Sequence, residues 1–115
     1  MWQLTSTVRH YPWGSTTVIP ELLGLPTPAD RPFAELWVGA HPDMPSALPD
    51  GRSLDQVIAA DPGALLGDRV REKFGDRLPF LMKVLAADRP LSLQAHPTTV
   101  PVSYTHLTLP TILRV

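Results

Sequence analysis

A seven-residue stretch at residues 91–97 constrains the fold more than any other part of the sequence. It alternates strictly between apolar and polar residues. Because successive side chains of a β-strand point to opposite faces, the alternation predicts a strand with one apolar face. The other face would carry Ser92, Gln94 and His96. A hydroxyl, an amide oxygen and an imidazole that share one enclosed face would suit a metal cation and a polyhydroxy ligand.

A second strand is predicted just before this stretch. Residues 78–86 form the strongest apolar run of the chain, interrupted by Lys83, and they predict a buried strand. A short turn separates the two strands, so we expect an antiparallel hairpin in which Lys83 lies opposite Gln94. A slip of one residue would move Lys83 to the other face of the sheet.

Local signals predict the remaining elements, and the fourteen prolines favour short ones. Strands are expected at residues 2–8 and 33–38. Ser15 should cap a short helix over residues 16–23, and a capping box at residues 53–56 should start a helix that runs to about residue 60. Asp61 followed by proline predicts a further short helix to about residue 67, and residues 68–74 predict one more.

Composition excludes several classes of protein. A formal net charge of -1 gives no nucleic-acid footprint, and the absence of cysteine excludes disulfides and thiolate metal sites. No apolar run approaches the roughly 20 residues of a membrane span, and the first residues lack the pattern of a secretory signal. We therefore expect one small cytoplasmic domain of 115 residues that binds neither nucleic acid nor a membrane.

Several residues could carry chemistry, and each also has a plain structural interpretation. Gln94 and His96 could bind a metal, or they could lie on a solvated strand face, since zinc usually takes three or four ligands and glutamine is an uncommon one. Lys83 could be functional, or it could protect an edge strand from aggregation. Glu35 could bind a ligand or face water, and Trp13 could stack on a sugar or cover the core. His41 could join a metal site, but a surface turn is the simpler interpretation.

Four motifs together resemble one known family. They lie at residues 11–14, 34–42, 78–85 and 91–97, and in this order and spacing they look like type I mannose-6-phosphate isomerase, also called phosphomannose isomerase. The resemblance implies a mainly β fold with short helices, a partial cupin-like jelly-roll barrel that is incomplete because the chain is truncated. It also implies zinc-dependent interconversion of mannose 6-phosphate and fructose 6-phosphate.

The resemblance further assigns roles to individual residues. Gln94 and His96 match two zinc ligands, and the family adds a glutamate and a second histidine from further along the chain. Lys83 and Ser92 match catalytic positions, while Trp13 and Glu35 match positions that line the sugar-phosphate pocket. A full-length member would bind one zinc ion, so two of the ligands are expected to be missing here.

The chain departs from the family after residue 97. The family's Lys-Pro-Glu motif is absent, and no glutamate follows Glu72. We therefore expect residues 1–97 to be the N-terminal part of the isomerase domain, with a helical insertion at about residues 53–75, and residues 98–115 to be an unrelated tail. The alternatives are a non-catalytic, cupin-like sugar-binding or regulatory module and, ranked below it, a zinc hydrolase.

Overall fold

The computed structural model describes residues 1–92. This part of the chain holds three strands and four short helices. In chain order they are β1 (Thr7–Arg9), α1 (Val18–Leu22), β2 (Glu35–Gly39), α2 (Leu54–Ala60), α3 (Pro62–Leu66), α4 (Asp68–Phe74) and β3 (Leu81–Leu85). Within these residues, no helix has the length and apolar character needed to cross a membrane.

The three strands form one antiparallel sheet in the order β1-β2-β3. Strand β2 lies in the centre, with Leu36 opposite both Val8 and Val84. These three side chains therefore share one face, where they pack with Ile19 of α1 and with Ala86 just after β3. Ile19 is fully buried, so α1 covers the apolar face of the sheet.

The first strand is much shorter than the sequence predicted. Strand formation begins only at Thr7, and of the predicted residues 2–6 only Thr5 pairs with another segment, through an isolated bridge to Ala47. Trp2 is 47% exposed. The alternation around Trp2 therefore does not reflect a buried face.

The prediction that residues 78–86 form a buried strand was wrong about burial. Strand β3 does form, but Met82 is 52% exposed and Leu85 is 41% exposed. The reason is the position of β3 at the edge of the described sheet, where only β2 pairs with it. An apolar run of this length cannot by itself distinguish an edge strand from a central one.

The helices begin and end close to the predicted residues. Helix α2 covers Leu54–Ala60, but Ser53 makes no side-chain capping hydrogen bond, so the expected capping box does not form. Asp61 does cap α3, where its Oδ1 accepts a hydrogen bond from the backbone N–H of Ala64 at 3.3 Å. Helix α4 ends at Phe74 and is followed by Gly75, whose φ of 85° favours glycine.

Several sequence predictions fall outside the described residues. They are the roles of Gln94 and His96, the hairpin register that pairs Lys83 with Gln94, and the tail at residues 98–115. Leu91 and Ser92 are described, and neither lies in a strand. These predictions remain predictions.

Candidate functional site

The second face of the sheet carries polar and aromatic side chains. Glu35 and Trp37 alternate with Leu36 along β2, so they project away from the apolar core. The strand register sets Arg9 of β1 opposite Glu35 and Lys83 of β3 opposite Trp37. All three strands thus contribute to one polar face.

Trp37 is the centre of this group. The residue is 8% exposed, and its Nε1–H donates a hydrogen bond to Oε2 of Glu35 at 2.7 Å. The Lys83 Nζ lies 4.2 Å from the centroid of the indole ring, and the Arg9 Cζ lies 4.9 Å from it. Each cation–π contact of this kind contributes about 0.5–1 kcal/mol at an exposed site. We name Arg9, Glu35, Trp37 and Lys83 the Trp37 cluster.

The charges of the Trp37 cluster do not pair with one another. Among residues 1–92, ion pairs join Arg52 to Asp50 and Arg71 to Asp76, and neither includes a member of the cluster. The buried Arg9 Nε has no hydrogen-bond partner within these residues. Two cations and one carboxylate therefore meet at one aromatic ring, which is a suitable surface for an anionic ligand with hydroxyl groups.

Trp13 lies in a turn that is hydrogen-bonded to the segment after β3 and packs against the segment before β2. Its carbonyl oxygen accepts a hydrogen bond from the Asp88 N–H at 2.7 Å, and its ring stacks on Tyr11 at a centroid distance of 5.8 Å. The next residue, Gly14, approaches the β2 segment so closely that a Cβ would lie 2.6 Å from the Cα of Ala34. Only glycine fits there, and the turn is fixed beside the residue that precedes Glu35.

Three of the residues that the sequence selected, Glu35, Lys83 and His41, each contact Trp37. Within residues 1–92, no hydrogen bond, ion pair or ring contact joins Trp13 or Ser92 to the Trp37 cluster. Ser92 is exposed. The catalytic and binding roles of all these residues stay predictions.

His41 has the geometry of a surface turn. Its Nδ1 accepts a hydrogen bond from the Asp43 N–H at 3.1 Å, and its carbonyl oxygen accepts one from the Met44 N–H at 3.1 Å. The imidazole also meets Trp37 edge-on at a centroid distance of 5.3 Å. His41 therefore packs against the Trp37 cluster while its Nδ1 is engaged by the turn.

The expected zinc ligands Gln94 and His96 lie outside the described residues. Within residues 1–92, no group of three or more His, Cys, Asp or Glu side chains could hold a metal ion. An imidazole is a usual zinc ligand, and an amide oxygen is a possible one. The donor chemistry of Gln94 and His96 thus fits part of a zinc site, which needs one or two further ligands.

Sequence reasoning missed two members of the cluster, Arg9 and Trp37. Trp37 could have been found, because it lies two positions after Glu35 in a predicted strand and must share its face. Arg9 was missed because the first strand was predicted to end at Val8, whereas β1 extends to Arg9. Because the predicted strand ended one residue too early, Arg9 was not placed on the sheet.

Comparison with known proteins gives one consistent family. The family model "Phosphomannose isomerase type I, catalytic domain" matches residues 1–111. Mannose-6-phosphate isomerase from Escherichia coli K12 is 48% identical over 101 residues, which cover 84% of this chain and 26% of the relative. The human mannose-6-phosphate isomerase is 38% identical over an alignment of 119 residues with gaps, and the alignment covers 93% of this chain and 28% of the relative.

Solved structures agree with this result. A crystal structure of a phosphomannose isomerase variant from Salmonella typhimurium is 46% identical and superposes with a TM-score of 0.77, covering 84% of this chain and 25% of that one. A mannose 6-phosphate isomerase bound with zinc and yttrium gives the same TM-score of 0.77 at 46% identity, again covering 84% of this chain and 25% of that one. The predicted fold class, part of a cupin-like barrel with short helices, is confirmed by these neighbours.

The matches cover only part of each relative. The chain spans about a quarter of the relatives that it matches. The matched range of the family model extends past residue 97, and the domain boundary predicted there remains a prediction. From the sheet geometry, the four sequence motifs and these matches together, the chain belongs to the type I phosphomannose isomerase family.

Proposed function

We propose that this chain is the N-terminal part of a zinc-dependent isomerase that interconverts mannose 6-phosphate and fructose 6-phosphate. The observation that carries the proposal is the family membership, with 48% identity to the Escherichia coli mannose-6-phosphate isomerase. The Trp37 cluster supports it independently, because two cations that form no ion pair within the described residues favour a phosphate or another anion.

The residues of the chain divide the work of binding. The Lys83 ammonium binds a phosphate or sugar oxygen as a compact positive charge. The Glu35 carboxylate accepts hydrogen bonds from sugar hydroxyls, Ser92 offers a hydroxyl, and the Trp13 ring covers one side of the sugar. In this proposal Lys83 and Ser92 serve catalysis, whereas Trp13 and Glu35 bind the substrate.

The proposed metal ligands of this chain lie after the described residues. Gln94 and His96 would hold zinc, together with a glutamate and a second histidine that the family supplies from further along the chain. A zinc ion bound there would supply a Lewis acid that could polarise the sugar carbonyl and stabilise negative charge on its oxygen. We propose a cytoplasmic enzyme whose partner is the small sugar phosphate alone.

A coupled isomerase assay tests this proposal. The complete protein, obtained by following the reading frame beyond the Pro97 codon, should convert mannose 6-phosphate, lose activity with a chelator and regain it with zinc. The purified 115-residue chain should show no turnover, because two ligands cannot complete a zinc site. Absence of zinc-dependent turnover in the complete protein would refute the proposed function. Turnover by the 115-residue chain would refute the claim that its active site is incomplete.

Binding by the short chain separates the enzyme part from an independent module. A thermal melt of the 115-residue chain is recorded with and without mannose 6-phosphate in the presence of a chelator. For an incomplete site we expect no rise in Tm. A clear, metal-independent rise would instead support the sugar-binding module.

A further inference from the structure

We propose that Trp37 is a positioning residue, which holds the Lys83 ammonium and the Glu35 carboxylate at fixed places on the polar face of the sheet. The inference rests on the proposed function, since the two groups that Trp37 holds are those proposed to meet the substrate. Trp37 itself acts through them, and the structure provides three separate arguments for this role.

The first argument is the rigidity of Trp37. It lies on the central strand β2, where both neighbouring strands pair with it, opposite Thr7 on one side and Lys83 on the other. The residue is 8% exposed, and the edge of the His41 ring packs against it. A buried aromatic ring on a central strand keeps one orientation, so groups that contact it are held in one place.

The second argument concerns Lys83. The lysine lies on the edge strand β3 and is exposed, and no ion pair within residues 1–92 includes it. Its long side chain would sample many rotamers without a contact. The contact that orders it within the described residues is the indole of Trp37, at 4.2 Å from Nζ to the ring centroid.

The third argument concerns Glu35. The indole Nε1–H is a donor only, so it orders the Glu35 carboxylate through Oε2 at 2.7 Å and leaves the other oxygen for a hydroxyl donor. Arg9 lies opposite Glu35 in the register, and no ion pair joins them within the described residues. The indole therefore orients the Glu35 carboxylate while Glu35 and Arg9 both keep their charges.

The two contacts can be separated by substitution. Phenylalanine retains an aromatic face for Lys83 but has no N–H to donate to Glu35. Leucine removes both contacts. Trp37→Phe should therefore release only Glu35, while Trp37→Leu should release both groups.

NMR of the 115-residue chain tests the positions directly. Protons above an aromatic ring are shifted upfield by its ring current, so the Lys83 ε-methylene should be shifted further upfield than that of Lys73. Lys73 is a matched control, because its Nζ lies 5.6 Å from the Phe74 ring on helix α4, against 4.2 Å for Lys83 and Trp37. An unshifted Lys83 methylene in the wild-type chain would overturn the inference.

Two further variants keep the test decisive if Trp37→Leu fails to fold. Trp37→Phe should retain an upfield shift at Lys83. Glu35→Gln should move the indole N–H resonance of Trp37 and leave those of Trp2 and Trp13 unchanged. The proposed contacts would be contradicted if the Trp37 indole resonance did not move in Glu35→Gln. Loss of the upfield Lys83 shift in a folded Trp37→Phe chain would contradict them as well.

Kinetics of the complete protein separate this inference from the proposed function. Trp37→Leu should raise KM for mannose 6-phosphate by about tenfold or more and also lower kcat, because it releases both Glu35 and Lys83, whereas Trp37→Phe should raise KM with little change in kcat. Equal KM values for the wild type and Trp37→Leu would overturn the positioning role. Intact NMR shifts in a complete protein without isomerase activity would instead count against the proposed function.

Discussion

The turn that carries Trp13 gives the sharpest prediction about the fold, through the substitution Gly14→Ala. A Cβ at Gly14 would lie 2.6 Å from both the Cα and the N of Ala34, and 2.8 Å from its Cβ. Ordinary contacts of a Cβ begin at 3.4 Å, so the two backbones would have to separate by about 0.8 Å. Both partners are backbone, and no flexible side chain can move aside.

The expected loss follows from what surrounds this contact. The Ser15 N–H donates to the Ala86 carbonyl oxygen at 2.8 Å, and the Ala86 N–H donates to the Ala34 carbonyl oxygen at 2.9 Å, so the whole network must shift. Overpacking at a site that cannot relax costs about 1–3 kcal/mol. In a domain of this size, each 1 kcal/mol lowers Tm by roughly 4–8 °C.

Urea unfolding of the 115-residue chain, followed by tryptophan fluorescence, measures this loss. Gly63→Ala is the matched control, because it lies in helix α3 and a Cβ there would meet only the flexible end of Arg71, Nη1 at 3.2 Å. Alanine in a helix is favoured over glycine by about 0.5–1 kcal/mol, so the control should be neutral or stabilising. Equal free energies of unfolding for Gly14→Ala and the wild type would refute the close packing of the turn against β2.

Further predictions concern the core, the helix caps and pH. Leu36→Ala, at a core position that is 6% exposed, should lower the free energy of unfolding by about 2–5 kcal/mol, and a loss below about 1 kcal/mol in urea titrations would contradict its burial. Asp61→Ala should cost about 0.5–2 kcal/mol, more than Ser53→Ala, because only Asp61 makes a capping hydrogen bond; equal losses would contradict the caps. Hydrogen bonds from Arg52, first from its backbone N–H, lower the pKa of Asp50. The Asp50–Arg52 pair therefore stabilises the fold at pH values above the ordinary Asp pKa, and this stabilisation is lost as pH falls through the lowered pKa. An NMR titration that gives Asp50 an ordinary pKa would contradict this pH dependence.

Local sequence signals were sufficient to predict the helices. Helix α2 begins at Leu54 and ends at Ala60 as predicted from residues 53–56, and the Asp61-Pro62 pair that follows begins the next helix. Ser53 makes no capping hydrogen bond, and the start of the helix is joined instead to an earlier loop, where the Leu54 N–H donates to the Ser46 carbonyl oxygen at 2.8 Å. A partner 8 positions away cannot be read from a four-residue motif.

Sheet position was harder to predict than strand existence. The apolar run around Met82 and Leu85 indicated a strand correctly, but its burial depends on neighbours supplied by the rest of the fold. Among the predicted site residues, Glu35 and Lys83 lie together because β2 and β3 pair in one register, which no local pattern specifies. The family motifs identified both residues, and the register explains why they meet at Trp37.

The contribution of Lys83 to turnover tests the central claim most directly, namely that the polar face of this sheet binds the substrate. In the complete protein, Lys83→Met should lower kcat/KM for mannose 6-phosphate by about 10–150-fold, the loss expected when a hydrogen bond to a charged group worth about 1.5–3 kcal/mol is removed. Lys73→Met is the control, since this lysine also lies over an aromatic ring but on helix α4, and its kcat/KM should equal that of the wild type. Equal kcat/KM values for Lys83→Met and Lys73→Met would contradict the account.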